Sequence, residues 1–396
     1  HSFPTRRSSD LSDVKRMSDQ VPRILNDAGD TSNTPGYYKF NVDRSTADVG
    51  VRGQFATGPV THITTLMATR YQDELSRGIN NGMEVLSNIY HPVDTPQQYI
   101  NAPKVLRISE SELSGVALTD TLGFLDDRLQ LTLGVRRQDI ESRNYNAAGA
   151  VSSRYKDNAT TPLVGVVVKP WDDVSFYYNY VEGLSKGDIA PGTAANSGET
   201  FAPYESKQHE IGVKYEHGTF MTTLALFQIE KPSGEVGANN LFSVQAEQRN
   251  RGVELSVFGE VAPGTRLMGG VTFLDGELTD SATAANRGNK PVGVPDIQAN
   301  LWAEYDTPWL EGFTLTGGAI YTDSQYVNQA NTQELDAWTR IDAGARYATK
   351  IEGRPTTFRA TVQNVFDREY WSGVASYGAF SPGSPRTLQL SATVDF

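Results

Sequence analysis

Cysteine is missing from all 396 residues, which excludes disulfides, thiolate metal sites and a cysteine nucleophile. A basic field is missing as well. The chain carries 35 Lys and Arg against 47 Asp and Glu, a formal charge of −12, the wrong sign for a nucleic-acid partner. No window approaches the ~18 consecutive apolar residues of a membrane helix. Histidine is scarce: His1, His62, His91, His209 and His217 are the five. None pairs with another at metal-ligand spacing, so no protein-built metal site is expected. They are equally badly placed for an Asp/His or Ser/His pair, and no enzyme is expected.

The opening "HSFPTRRSSDL" has no Met and no apolar core, so it fits neither a secretory nor a twin-arginine signal. It resembles a translated sequencing-adapter scar. Residues 1–11 are therefore set aside as non-native, and residues 12–396 carry the fold reading. The natural start is expected upstream.

What the chain does have is alternation. In "RLQLTLGVRR", Leu129, Leu131, Leu133 and Val135 take one face, with Gln130, Thr132, Gly134 and Arg136 opposite. "DVSFYYNYV" sets Val174, Phe176, Tyr178 and Tyr180 against Ser175, Tyr177 and Asn179. "RGVELSVFGEV" and the closing "RTLQLSATVDF" alternate in the same way. Period 2 is the pattern of half-buried strands, and helical spacing is absent from these stretches.

Short breakers join such segments: "TGP" (57–59), "LDDR" (125–128), "KPWDD" (169–173), "EHGT" (216–219), "APGT" (262–265) and "IEGRP" (351–355). They predict hairpins. Between the hairpins come longer polar stretches at 74–107, 143–160, 185–203, 231–242, 279–294, 326–336 and 366–385. A soluble sandwich has no reason to sort its connections into a short end and a long end. A transmembrane antiparallel β-barrel does, with short periplasmic turns, long extracellular loops, apolar residues toward lipid and polar ones toward the lumen. The count is roughly fifteen strands. Single-chain bacterial barrels hold an even number, so further strands are expected before this sequence.

Five stretches resemble TonB-dependent outer-membrane receptors, in particular siderophore receptors of the ferrichrome, coprogen and ferrioxamine type. They are "ESKQHEIGVKY" (205–215), "QRNRGVELSVFGEV" (248–261), "KPVGVPDIQANLWAEYDTP" (290–308), "TRIDAGARY" (339–347) with "TFRATVQNVFDREYW" (357–371), and "SPRTLQLSATVDF" (384–396). The resemblance implies the C-terminal part of an all-β barrel of about 22 strands, with the N-terminal plug and first strands outside this sequence. It implies a Gram-negative outer-membrane location and TonB-energised uptake of a ferric siderophore, with hydroxamate chemistry suggested by the subfamily. Iron would arrive chelated, so no cofactor is implied.

The implied partners are the siderophore, the TonB complex through the missing N-terminal region, and outer-membrane lipid with lipopolysaccharide. The barrel-assembly machinery is a further one, through the terminal Phe396. A passive porin, or a receptor for haem, cobalamin or a glycan, is the alternative. Hydroxamate complexes are compact and partly apolar, suited by aromatic rings with a few polar donors. The candidate ligand-binding residues are Tyr90, Tyr204, Tyr326, Asn328, Trp371, Tyr377 and Phe380. Arg136, Arg137, Glu254 and Glu260 read as lumen or rim charges.

Overall fold

The computed structural model describes residues 5–18, 23–26, 28–94, 96–185, 187–188, 190, 194–196, 199, 201, 204–237, 239–374 and 380–395. Sixteen strands form one antiparallel sheet whose neighbours follow chain order. They are β1 Thr5–Ser18, β2 Gly36–Thr57, β3 Val60–Asn81, β4 Leu106–Phe124, β5 Leu129–Tyr145, β6 Val151–Trp171, β7 Val174–Ser185 and β8 Tyr204–His217. The sheet continues with β9 Phe220–Val236, β10 Phe242–Ala262, β11 Thr265–Asp280, β12 Ile297–Asp306, β13 Phe313–Thr322, β14 Trp338–Ile351, β15 Arg354–Gln363 and β16 Thr387–Val394. The outermost strands, β1 and β16, are not paired with each other among the described residues. The sheet is an arc of barrel wall. β1 pairs with the upper part of β2, Thr5 opposite Asp48 and Ser18 opposite Gly36, so part of the 1–11 stretch takes part in the sheet.

Every short breaker falls at a hairpin. In "IEGRP", Glu352 (φ 51°) and Gly353 (φ 82°) are both left-handed, the conformation a two-residue hairpin turn requires. A seventh tight connection, 307–312, carried no expectation. There Thr307 N donates to Phe313 O at 2.9 Å and Thr307 Oγ1 donates to the same oxygen at 3.0 Å.

Two expected loops contract sharply. The stretch 143–160 becomes 146–150, and 231–242 becomes 237–241. The strands continue because the ladder satisfies the backbone, and cross-strand charges suit water above the membrane. Glu141, for example, takes Arg154 across the ladder and Arg143 on its own strand. β2 and β3 have 22 residues each, about 70 Å of strand, where a membrane crossing needs about 10 residues.

The two faces differ as the alternation requires. On one, registered rows join Leu66, Leu118 and Val135, and Ile211, Leu226, Val253 and Phe273. Leu133 (46% exposed), Ile211 (55%) and Leu390 (72%) stand open; Leu129 and Leu131 are half-buried. So many exposed apolar side chains, each worth roughly 1.5–3 kcal/mol when buried, require lipid as solvent. On the other face Ser111, Ser142, Thr161 and Asp342 are buried. There the abundant glycine acquires a reason. A Cβ at Gly212 would lie 2.6 Å from the Tyr177 ring, and one at Gly318 would lie 2.2 Å from the Trp302 indole. At these two places the ring lies against the wall because the neighbouring strand has no side chain.

Candidate ligand-binding site at the outer rim

Three long connections, 281–296, 323–337 and 364–386, associate above the wall. Gly293 N donates to Tyr326 O at 3.0 Å. Lys290 N donates to Asn331 Oδ1 at 2.8 Å, and Asn331 Nδ2 returns a bond to Lys290 O at 3.0 Å. Asn289 Nδ2 reaches Gln329 O at 2.9 Å. Within 364–386, Trp371–Val374 pairs with Phe380–Pro382.

Asn364 anchors the last of these connections. Only 1% exposed, it donates through Nδ2 to Arg368 O (2.9 Å) and Ser384 O (3.0 Å). Its Oδ1 accepts from Arg368 N (2.9 Å), and its own backbone N–H donates to Asp342 Oδ1 (2.8 Å). This folds the chain so that the Tyr370 ring stacks on Trp338, centroids 4.4 Å apart. By strand register Trp338 shares the inner face with Arg340 and Asp342, which are ion-paired at 2.9 Å. A cavity of about 560 Å³ opens here, lined by Trp338, Tyr370 and Trp371 with Asp336, Arg368 and Glu369. Flat aromatic walls with polar groups at the edge suit a compact, partly apolar ligand.

Of the residues singled out beforehand, Trp371 lines this cavity, and Phe380 packs on it at 5.7 Å between centroids. Tyr326 and Asn328 lie in the adjoining 323–337 connection. Asn328 closes its own turn, Oδ1 accepting from Thr332 N at 3.1 Å. Tyr377 lies outside the described residues, as does Phe396. Tyr90 is 67% exposed in a separate cluster, where residues 23–24, 30–33 and 85–88 form a small ribbon. Tyr204 is 3% exposed. It accepts from Asp188 N at 3.3 Å and lies under Lys231 Nζ at 5.8 Å; burial pushes its phenol well above the usual range.

Trp338 escaped sequence reading because it opens a strand, where an aromatic reads as wall. Arg137 faces outward, bonded to Thr160 Oγ1 at 3.1 Å, and Glu260 Oε1 accepts from Gly264 N at 2.6 Å in the periplasmic turn. Glu254 stands inward beside the Tyr177–Glu210 bond of 2.7 Å. Among the described residues no group of three or more His, Asp and Glu is placed to hold a metal.

A lipid-facing antiparallel β-wall with a cavity among its outer loops defines a membrane β-barrel. The family description "TonB dependent receptor-like, beta-barrel" matches residues 5–365, and the chain belongs to that family. It is 40% identical over 395 residues to the ferrichrome receptor FcuA of Yersinia enterocolitica, covering 95% of this chain and 51% of that protein. It is 29% identical to the ferrichrome outer membrane transporter/phage receptor of Escherichia coli K12, over 88% of this chain and 48% of that one. The crystal structure of BauA, the ferric preacinetobactin receptor of Acinetobacter baumannii, superposes with a TM-score of 0.80 at 37% identity, covering all of this chain and 59% of that one. The chain thus spans about half the length of the curated relatives it matches.

Proposed function

We propose that this chain forms part of the wall and outer rim of a receptor taking up a ferric siderophore, of hydroxamate type, across the Gram-negative outer membrane. The carrying observation is the aromatic cavity of Trp338, Tyr370 and Trp371 at the water-exposed rim of a lipid-facing wall. Relatives named as ferrichrome receptors support a ferric siderophore as cargo. Iron enters already chelated, so the wall supplies shape and apolar contact, and no metal ligand of its own. The outer membrane holds no ATP, and release of a tightly held ligand takes work from elsewhere. TonB, engaging a segment N-terminal to this chain, is its source in this reading. The plug and remaining strands belong to that segment in the same reading.

Uptake in an iron-starved strain without its own hydroxamate receptor tests this reading. The receptor containing this chain restores growth on ferric trihydroxamates and loses the effect when TonB is deleted. Growth that persists without TonB, at high cargo concentration only, is the behaviour of a diffusion channel and overturns it.

A further inference from the structure

The lumen face of such a wall should be polar, and at one level it is not. Along β10 that face reads Glu254, Ser256, Phe258 and Glu260. Along β11 it reads Thr272, Gly270, Met268 and Arg266, and along β12 Gln298, Asn300, Trp302 and Glu304. The apolar member comes at the same step on all three strands. Register sets Met221, Phe258, Met268, Trp302 and Gly318 side by side in one row. The Trp302 indole spreads over Gly318, which widens the row by a strand. Phe258 is 62% exposed and Met268 54%. Lipid accounts for open apolar side chains on the outward face, but it does not reach these.

The surroundings of the row are electrically quiet. Directly above it stand Ser256, Gly270 and Asn300, which carry no charge. Directly below it the charges close among themselves. Glu260 stands opposite Arg266, whose Nε donates to Glu304 Oε2 at 3.0 Å and whose terminal nitrogens donate to Asp306 at 2.7 and 2.6 Å. Arg346 Nη2 reaches the same Glu304 oxygen at 3.1 Å. At the β14 end of the row Asp342 is paired with Arg340 at 2.9 Å. Such a patch offers polarisable contact area to a neutral body and no free counter-charge to an ionic one. Its place is low in the wall. Phe258 and Met268 lie within a few residues of the turn at 262–265, roughly 8–10 Å of rise at a tilt of ~40°. Trp302 is two strands across and four residues down from Trp338 of the rim cavity, roughly 16 Å away on the same inner face.

We propose that the row Met221–Phe258–Met268–Trp302 is a second, weaker subsite for the cargo, on which the ferric chelate rests between the rim cavity and the periplasm. The proposal rests on the cargo reading above. A ferric trihydroxamate suits the row, because three hydroxamate anions cancel the charge of Fe(III) and leave a compact, neutral, partly apolar body. Unbranched Met side chains adapt to such a shape. A shallow row open to the lumen holds it loosely enough to let it go, which is what passage through a pore requires of an intermediate site.

The test uses the receptor containing this chain in iron-starved cells without their own hydroxamate receptors, given a radio-iron-labelled ferric trihydroxamate. Equilibrium binding to de-energised cells reads the rim cavity, and initial uptake by energised cells reads passage. Phe258→Ser and Met268→Gln leave Kd within twofold of the parent and lower the maximal uptake rate at least threefold. Phe258→Leu and Met268→Leu, which keep the row apolar, retain more than half of the parent rate. Ser256→Ala, one row above, changes neither quantity. Unchanged uptake in both polar variants overturns the proposal. So does slower uptake accompanied by entry of a large glycopeptide antibiotic, the behaviour of a row that only seats the upstream segment in the lumen. If Phe258→Ser fails to give the compact band of a folded barrel on an unheated gel, Met268→Gln, which keeps length and unbranched shape, decides alone. A parent receptor that neither binds nor imports a trihydroxamate refutes the cargo reading, whereas import at parent rates by the variants refutes this subsite alone.

Discussion

Trp338 and Tyr370 lie face to face, ring planes 26° apart, although one belongs to a barrel strand and the other to the last long connection. The stack makes one wall of the rim cavity, so each ring both builds the site and presents a face to its contents. Tyr370→Ala removes the covering ring and leaves Trp338 without its partner. Ligand affinity of the receptor containing this chain should fall at least 10-fold, about 1.4 kcal/mol or more, with expression and gel migration unchanged. Tyr370→Phe keeps the stack and should cost less than threefold. Equal effects of the two variants, in equilibrium binding with a ferric trihydroxamate, would show that the hydroxyl matters and the stack does not.

Asn364 determines whether that stack can form. Its carboxamide serves two carbonyls and one N–H of the turn it closes, in a left-handed conformation (φ 51°) that Asn tolerates better than most residues. Asn364→Ala removes all three bonds and leaves a buried position part-empty, a loss of roughly 1–3 kcal/mol. The cost should be local: faster hydrogen exchange across 364–386, with β9 to β11 unaffected. Protection unchanged in that segment would refute the anchoring role.

Much of this architecture is legible in the sequence, for a physical reason. A strand between lipid and water must alternate, and a two-residue turn must contain residues that accept positive φ. Leu129–Val135 and the "EG" of 352–353 therefore announce themselves. Where both faces of a strand meet water, alternation vanishes. Residues 151–160 and 231–236 then read as loop although they are ladder. The site is less legible because its parts are distant in sequence. Nothing in "DAWTRID" says that Trp338 will meet Tyr370. Nor does Tyr204 advertise that its ring will be buried under Lys231, when Tyr90, the same residue type in another loop, stays exposed.

The ribbon that carries Tyr90 has its own pH dependence. Asp30 accepts from Asn26 Nδ2 at 2.8 Å and Asn88 Nδ2 at 2.9 Å. These bonds, Asn26 first, favour the carboxylate and hold its pKa below the usual value against slight desolvation. A depressed folded value means the contribution is complete at neutral pH, down to the ordinary carboxylate range, and is lost as pH falls through the lowered value. Asn88→Ala should move the Asp30 titration midpoint up toward the ordinary range, read by carboxyl NMR. An unmoved midpoint would mean that these bonds do not set it.

The membrane assignment itself makes the sharpest forecast, because adjacent residues of one strand should respond oppositely to the same charge. Leu118 points outward in a row with Leu66 and Val135, while Thr119, the next residue of the strand, faces Gly134 on the inner side. An arginine on the lipid face near mid-bilayer costs about 2–4 kcal/mol, and the same charge in a wet lumen costs little. Leu118→Arg should therefore lower folding stability in lipid vesicles by that amount, with Thr119→Arg within about 1 kcal/mol of the parent. A water-soluble sheet with a dry interior behind Thr119 would reverse the order, since the buried arginine would then be the costly one. Urea unfolding of the receptor containing this chain, followed by tryptophan fluorescence, separates the two outcomes.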